Sequence, residues 1–464
     1  MPETRLESDS MGKIPVEASR YWGAQTERAR LNFQVSPYRA PQPFLRALCA
    51  VKGAYAQANQ ELGVLDHRLS LAVLQAAREA QEGNFDEEFP LDVFQTGSGT
   101  SWNMNANEVL AGRANEILTG KRGGKAPVHP NDHVNAGQSS NDVIPTVLNI
   151  SCRLETERLC QALEGLAVAF ETKAHEFSTV IKLGRTHLQD AVPMTLGQEV
   201  GAWARQVRLA VERLRGVYPR LEELALGGTA LGTGLNAPAT LAPRAIAQLA
   251  RLYGVPFRQA ENLFEAISAR DAQVELMGAL NSTVVSLMKI GNDLRLLSSG
   301  PRTGFGEVLL PSLQPGSSIM PGKVNPVMLE VLIQACAHVM GVAVTATIAG
   351  QNSPLQLNIM MPLLAHEILS SLDLLTRTVE AVNDRCIQGL VANRQHCEEQ
   401  VERSLALVTA LAPVIGYDKA AQVSKTALAS GKTLREVLRD DGLLTSDVEA
   451  LLDPRTMLGP ENQS

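Results

Sequence analysis

Residues 198–218, QEVGAWARQVRLAVERLRGVY, contain no proline and place apolar side chains at steps of three and four residues. The members of this repeat are Val200, Trp203, Val207, Ala210, Leu214 and Val217. Such a period puts the apolar side chains along one face of an α-helix. The stretch therefore predicts a long amphipathic helix.

Three further stretches indicate helices of similar or greater length. Residues Leu154 to Phe170 and Ala272 to Leu297 repeat the same period, whereas Val327 to Ile348 is apolar on nearly all sides, as expected for a helix buried among other helices. Aromatic residues are only 4% of the chain, fewer than large β-sheets usually carry. Together these features predict an all-α fold built on a central bundle of long helices.

The chain of 464 residues is too long for one small core, so several domains are expected. After about Ala392 the apolar period becomes shorter and the sequence more charged. We expect an N-terminal domain over residues 1–138, the central long-helix bundle over 139–393, and a small helical C-terminal domain over 394–464.

The charge and cysteine content exclude several classes of protein. The formal net charge of -7 argues against a nucleic-acid-binding protein. The six cysteines are scattered without a CxxC pair, as is usual for free thiols in a reducing compartment. The N-terminus shows no signal-peptide pattern, and no window approaches the roughly 20 apolar residues that span a bilayer. We therefore expect a cytoplasmic protein that binds neither nucleic acid nor membrane.

The segment most suggestive of chemistry is residues 315–326, PGSSIMPGKVNP. It combines two hydroxyls, a lysine and an asparagine just before the predicted helix at Val327, where backbone N–H groups can face an anion. A phosphate-binding P-loop is excluded because five residues, not four, separate Gly316 from Gly322, and Val324 replaces the required Ser or Thr. A flexible linker with a surface lysine is the alternative.

Three other segments carry polar groups in unusual density. In Gly184–Ala191, GRTHLQDA, a histidine lies beside Thr, Arg and Asp ahead of a predicted long helix, which suits acid–base chemistry. Residues 96–107, TGSGTSWNMNAN, and 129–142, HPNDHVNAGQSSND, crowd hydroxyl and amide side chains that can hydrogen-bond carboxylate oxygens. The alternatives are a histidine satisfied within its loop, and a helix cap formed by Ser139 or Asn141.

Metal-ligand spacing is absent from the sequence. His366-Glu367 lacks a second histidine at the required distance, and the pair His129/His133 has no cysteine or carboxylate cluster beyond Asp132. We therefore expect neither a metal nor another cofactor.

Taken together, these four segments resemble the fumarase/aspartase superfamily of helical lyases. The loop GSSIMPGKVNP, Gly316 to Pro326, resembles the signature of that superfamily, and the resemblance extends from Asp9 to Pro460. It implies a homotetramer whose active sites are shared between subunits. Within the superfamily the chain is most similar to class II, metal-independent fumarases, which implies reversible hydration of fumarate to L-malate in the tricarboxylic acid cycle through an aci-carboxylate intermediate.

The resemblance also implies residue roles. Ser317 matches the catalytic base, His187 the proposed acid, and Glu330 the carboxylate that pairs with this histidine. Matches to substrate-binding residues are Ser98, Gly99, Thr100, Ser139, Ser140, Asn141, Thr186, Ser318, Lys323, Val324 and Asn325. Matches to a secondary anion site are His129, Pro130, Asn131 and Asp132.

Other members of the superfamily remain alternatives. Aspartate ammonia-lyases use the same scaffold, and Asp190–Thr195, Pro326–Met328 and Leu357–Pro362 are similar to theirs. Trp102, beside the hydroxyl-rich segment, also departs from the small polar residue expected there, and it either narrows the pocket or packs beneath it. Tyr21–Thr26 and Gln138–Asp142 favour fumarase. Argininosuccinate and adenylosuccinate lyases are less similar, since they need room for a larger leaving group. A non-catalytic, crystallin-like scaffold is also disfavoured, because it would not need the residues that match the catalytic ones.

Overall fold

A computed structural model describes residues 3–459 of the chain, and most of them are helical. The predicted all-α class is confirmed. The α-helices are α1 (Ala24–Asn32), α2 (Gln42–Glu61), α3 (His67–Gln81), α4 (Thr100–Thr119), α5 (Ser140–Glu176), α6 (Leu196–Arg215), α7 (Tyr218–Leu221), α8 (Leu241–Tyr253), α9 (Leu263–Ser268), α10 (Asp271–Leu297), α11 (Val327–Gln351), α12 (Met361–Val382), α13 (Arg394–Arg403), α14 (Ala412–Ile415), α15 (Tyr417–Ser430), α16 (Leu434–Asp440) and α17 (Ser446–Leu451).

The described β-structure consists of two-stranded ribbons. The antiparallel pairs are β1 (Thr4–Asp9) with β2 (Gly12–Glu17), β3 (Ile181–Thr186) with β4 (Gln189–Thr195), and β7 (Val308–Leu309) with β8 (Val391–Ala392). The parallel pair is β5 (Glu223–Leu224) with β6 (Arg258–Gln259). Since none of these ribbons can cover a large core alone, the helices carry the fold.

The residues group into two compact units by their contacts. The first comprises the residues up to 160, 212–282 and 338–375, and the second comprises 161–211, 283–337 and 376 onward. The three-domain division expected from the sequence remains a prediction, and its residues 1–2 and 460–464 lie outside the described part of the chain.

The first unit has a core of closely packed helices rich in small residues. On α2, Ala47, Ala54 and Ala58 are buried, and they let α3, α4 and α8 approach closely. Gly112 on α4 allows an even closer contact, because a Cβ atom there would lie 2.4 Å from the carbonyl oxygen of Tyr21. Small residues therefore let the backbones of this unit approach closely at these positions.

The second unit includes the short helices expected after Ala392. They enclose a core cluster that includes Leu407, Leu411, Val423, Leu438 and Leu452, each at most 2% exposed. Helix α16 begins with a capping box in which Thr433 and Glu436 satisfy each other's backbone N–H groups. The change in sequence period at Ala392 thus marks a real change from long to short helices.

Two details of the helix predictions were wrong. The helix predicted to Tyr218 ends at Arg215, and the chain turns at Gly216 before α7. Helix α11 starts at Val327 as predicted, but only 33% of its most apolar stretch is buried within the chain. The sequence analysis expected no segment that could span a membrane, but α11 is long and apolar enough to do so. Core helices of soluble proteins have the same length and composition.

A buried carboxylate anchors the β3–β4 hairpin in the second unit. Glu307 is 0% exposed, and its oxygens lie 2.6 Å from the Lys182 ammonium and 2.5 Å from the Arg185 guanidinium. Lys182 also pairs with Glu199 at 2.5 Å, and the Arg185 guanidinium stacks over the Phe305 ring. Because β3 carries both cations, this cluster holds the hairpin against the segment that precedes the 315–326 loop.

We predict that Glu307→Ala destabilises the protein by about 3–5 kcal/mol, because it leaves two cations of a buried cluster without their shared carboxylate. Glu171→Ala is the matched control, since its partially exposed pair with Arg208 contributes at most about 1 kcal/mol. Urea unfolding of both variants at one protein concentration measures the difference. Equal stability of the two variants would contradict the anchoring role.

Candidate functional site

In the first unit, the two hydroxyl-rich segments meet at the N-termini of α4 and α5. The Thr100 Oγ1 atom lies 2.8 Å from Ser98 Oγ and 2.8 Å from Ser140 Oγ, so three hydroxyls form one hydrogen-bonded chain. The N-terminus of a long helix presents unpaired N–H groups and a partial positive charge. The hydroxyl chain and the two helix ends can therefore bind a carboxylate without a nearby cationic side chain.

Gly99 allows this arrangement because it takes a conformation that other residues avoid. Its φ of 72° lies in the left-handed region, and a Cβ atom there would be 2.9 Å from the Ile144 side chain on α5. A larger residue at position 99 would push the two helix ends apart.

The segment Ser139–Asn141 also caps α5. Ser139 Oγ accepts a hydrogen bond from the backbone N–H of Asn141 at 3.2 Å, which makes Ser139 the N-cap. The alternative of Asn141 as the cap is wrong, because Asn141 lies inside the helix and its side-chain amide donates to the carbonyl of Ala230 at 2.8 Å. The capping and binding interpretations are compatible, since Ser140 still belongs to the hydroxyl chain.

Behind this cap lies Asp142, whose carboxylate the sequence analysis had not singled out. It is 0% exposed and accepts backbone N–H bonds from Ser139, Gly227 and Thr229 at 2.9, 3.2 and 3.0 Å. Burial raises the pKa of Asp142 to about 6, although these N–H donors oppose the shift. The carboxylate therefore fixes the cap against the 227–229 loop.

The predicted secondary anion residues form a single turn of π-helix over Pro130–Val134. His129 caps it: its Nδ1 atom accepts N–H bonds from Asn131 and Asp132 at 3.2 Å each. The Asp132 carboxylate lies 3.3 Å from the same Nδ1 atom. These contacts use the N–H groups of the turn internally, so the anion-binding role of His129, Pro130, Asn131 and Asp132 remains a prediction.

Among the described residues, no group of three or more His, Cys, Asp or Glu side chains has the arrangement of a metal site.

Trp102 belongs to the core of the first unit. Its ring is 1% exposed and packs against Phe44 at a centroid distance of 5.0 Å. Trp102 therefore packs in the core and does not narrow a pocket. It gives no support to the aspartate ammonia-lyase alternative.

In the second unit, the 315–326 loop folds back on itself. The Gly316 N–H donates to the Lys323 carbonyl at 2.7 Å, and the Asn325 side chain donates to the Gly316 carbonyl at 2.9 Å. Ser317 Oγ accepts N–H bonds from Ile319 and Met320 at 3.2 and 3.0 Å. Two aligned N–H groups on one hydroxyl oxygen favour negative charge there, which is what a serine base requires.

The far end of this loop lines a cavity of about 820 Å³. Lys323, Val324 and Asn325 contribute to its wall, together with Glu330 from the first turn of α11. Within the described residues the exposed Lys323 ammonium has neither an ion pair nor a hydrogen bond, so it is available to an anionic ligand. Ser317 and the exposed Ser318 lie eight and seven residues before Asn325 on the same loop, outside the wall of the cavity itself.

The His187 segment differs from its prediction. Instead of directly preceding a long helix, His187 and Leu188 form the exposed two-residue tip of the β3–β4 hairpin, with φ values of 57° and 59°. Such a turn normally carries Asn or Gly at both positions, so these side chains occupy strained backbone. Thr186 is the last residue of β3 and is exposed beside the tip.

Within one chain, His187 and Glu330 form no ion pair among the described residues. The pairing of His187 with Glu330 therefore remains a prediction, and it would have to form between two subunits, as the implied sharing of active sites allows. Glu307 was not predicted as an important residue. Its surroundings in the sequence, GEVLLP, show only one carboxylate followed by apolar residues.

Comparison with known proteins places the chain among the lyases. Residues 12–341 match the family described as lyase, and residues 407–459 match the fumarase C C-terminus. The chain is 50% identical to the class II fumarate hydratase of Methylorubrum extorquens, with 99% of this chain and 98% of that protein covered. It is 47% identical to the mitochondrial fumarate hydratase of Homo sapiens, with 98% and 90% covered.

Solved structures agree. A fumarate lyase:delta crystallin from Brucella melitensis bound to cobalt superposes with a TM-score of 0.95 at 46% identity, over 99% of this chain and 100% of that one. A class II fumarase from Schistosoma mansoni gives 0.92 at 42% identity, over 97% and 98%. The chain belongs to the class II fumarate hydratases, and the choice of this family over aspartate ammonia-lyase is confirmed.

We predict a pH-dependent difference in stability for Asp142→Asn. The raised pKa means that wild-type Asp142 contributes stability below its unfolded pKa, near 4, and loses it as the pH rises through about 6. Relative to the wild type, the variant should therefore gain stability between pH 4 and 6, by up to about 3 kcal/mol. Urea midpoints of both proteins across this range measure it, and a constant difference would contradict the buried-carboxylate assignment.

Proposed function

We infer that this protein catalyses the reversible hydration of fumarate to L-malate by anti addition, through an aci-carboxylate intermediate. The observation that carries the mechanism is the 315–326 loop, which joins a serine with two aligned N–H donors to a lysine beside a cavity, and this lysine has no partner among residues 3–459. Full-length similarity to class II fumarate hydratases supports the reaction. Because fumarate hydration is a step of the tricarboxylic acid cycle, we place the enzyme there.

Ser317 is the base in this mechanism. It removes the C3 proton of malate, and the electron pair moves into the adjacent carboxylate, which then carries two negative charges. The N–H groups of Ile319 and Met320 lower the cost of negative charge on Ser317 Oγ before transfer. Lys323 and Asn325 stabilise the doubly charged carboxylate, and the loss of one such donor commonly costs about 100- to 1,000-fold in rate.

His187 supplies the proton that the departing hydroxyl of malate needs, directly or through a water molecule. Glu330 pairs with this imidazole from a neighbouring subunit. The hydroxyl chain of Ser98, Thr100 and Ser140, with Gly99, Ser139 and Asn141, holds a substrate carboxylate by neutral donors. Thr186, Ser318 and Val324 complete the binding surface, and His129 to Asp132 form a secondary anion site.

The mechanism uses no metal or other cofactor, because Lys323, Asn325 and backbone N–H groups supply the positive field that a metal would otherwise provide. Activity should accordingly persist after exhaustive treatment with a chelator.

We further propose a homotetramer with active sites shared between subunits. Helix α11 supports it: Val331, Val344 and Ile348 are 44%, 61% and 49% exposed on one chain, an unusual amount of apolar surface on a long helix. The exposed His187 tip also supports it, as does the lack of an ion pair between His187 and Glu330 in the described part of one chain. We place the enzyme in the cytoplasm, because all six cysteines are buried free thiols, as expected in a reducing compartment.

The reaction is tested by following fumarate absorbance with the purified, chelator-treated protein. We expect L-malate to form in water without ammonium, and Ser317→Ala to lower kcat by at least about 100-fold because the base is lost. Ser430→Ala, on the C-terminal helix α15, is the control and should retain wild-type kcat. Near-normal turnover by folded Ser317→Ala would refute the base assignment, and fumarate consumption only with ammonium would refute the reaction.

Shared active sites are tested by mixing two inactive variants. If Ser317 and His187 of one site come from different chains, refolding Ser317→Ala together with His187→Asn restores about a quarter of the sites by random assembly. Each variant refolded alone should stay inactive. A mixture that remains inactive, although mass measurement shows mixed tetramers, would mean that one chain supplies both residues.

A further inference from the structure

Lys52 is a fully buried lysine that the proposed mechanism does not use. It lies in the middle of α2, among small apolar residues, and is 0% exposed. Unlike buried Lys182, which has two carboxylate partners, Lys52 forms no ion pair within the described residues. Burial of an ammonium group is costly unless hydrogen bonds compensate, so its contacts need an explanation.

The hydrogen-bond partners of Lys52 lie in one turn. Its Nζ atom donates to Asn135 Oδ1 at 2.9 Å and to Gln138 Oε1 at 3.0 Å. The same two side chains tie the turn internally, since Asn135 donates to the Gln138 carbonyl at 3.1 Å and Gln138 donates to the Val134 carbonyl at 2.9 Å. Lys52 therefore closes a small polar network that determines the shape of residues 134–138.

This turn leads directly into Ser139 and Ser140, at the hydroxyl chain. The opposite side of the same segment is fixed by Asp142, which binds the Ser139 N–H group and the 227–229 loop. Burial lowers the pKa of Lys52 to about 7, and the charge of Asp142 opposes that shift, so the two buried groups interact through space. The Ser139–Ser140 segment thus lies between two buried ionisable groups of opposite sign.

We propose that Lys52 is a positioning residue for substrate binding: its ammonium fixes the 134–138 turn and thereby holds the Ser139 and Ser140 hydroxyls where they bind a substrate carboxylate. Lys52 acts through Asn135 and Gln138 and touches no substrate. The proposal rests on the proposed function, in which those hydroxyls hold fumarate and malate.

The test compares Lys52→Met, which keeps the length of the side chain but removes the donor, with the wild-type enzyme. We expect KM for both fumarate and malate to rise by about tenfold or more while kcat changes much less, because a misplaced binding group weakens ground state and transition state together. Amide hydrogen exchange of residues 135–142, measured without substrate, should become faster.

Ser70→Ala is the matched control. It removes a buried hydrogen bond of 3.0 Å from Ser70 on α3 to the Ala56 carbonyl on α2, the helix that carries Lys52. Because this bond does not involve the turn, KM and exchange at 135–142 should stay at wild-type values. Gln138→Ala removes one hydrogen-bond acceptor of Lys52 at a partly buried position and should also raise KM. If Lys52→Met fails to fold, this second variant tests whether the contact of Lys52 with the turn supports substrate binding.

Wild-type KM and wild-type exchange in folded Lys52→Met, or wild-type KM in Gln138→Ala, would overturn the positioning role. A wild-type enzyme without hydratase activity would instead refute the proposed function. In that case the exchange measurement still decides whether Lys52 holds the turn.

Discussion

The hydrogen bond between Thr100 and Ser140 joins the first residues of two long helices, and much of the first unit is arranged to permit it. Helix N-termini repel one another because each carries a partial positive charge, so their convergence requires compensation. The hydroxyl chain supplies oxygen acceptors at that point, and an anionic ligand would supply more. Glycines permit the approach: Gly99 accommodates Ile144, and a Cβ atom on Gly97 would lie 1.8 Å from the Ile359 carbonyl oxygen. Packing in this region therefore fixes the positions of the two helix N-termini and leaves little space for larger residues at positions 97 and 99.

Buried charge is handled in two different ways in the two units. In the second unit, Glu307 directly contacts Lys182 and Arg185, so charges of opposite sign neutralise each other in a compact cluster. In the first unit, Lys52 and Asp142 are instead satisfied by neutral amide oxygens and backbone N–H groups. The ion pairs of Glu307 hold two segments of the second unit together. The hydrogen bonds of Lys52 and Asp142 to neutral groups orient a backbone segment, because each hydrogen bond has a defined direction.

The sequence predicted the elements that depend on local pattern and missed those that depend on distant contacts. Helical periodicity located α10, since an apolar stripe follows from the geometry of a helix, and a long run that is apolar on nearly all sides located α11. The polar segments at Ser98 and Ser139 were recognised from composition, but their meeting through Thr100 depends on how α4 and α5 pack. The His187 hairpin was missed because neither His187 nor Leu188 favours the left-handed backbone of its turn. Glu307 and Lys52 gave little signal, since a charged residue becomes conspicuous only when its burial is known.

The buried ion pairs of Glu307 stabilise the hairpin whose tip, at His187, is strained. A turn with two side chains in the left-handed region costs roughly 1–3 kcal/mol for each residue, and an isolated two-stranded ribbon is barely stable in water. Arg185 lies two residues before His187 and is fixed to Glu307, so the hairpin cannot relax by shifting its register. The exposed imidazole of His187 is consequently carried on a hairpin whose base is fixed. In the proposed mechanism His187 serves a site on another subunit, and this rigidity lowers the entropy that would be lost when the subunits and substrate assemble around the tip.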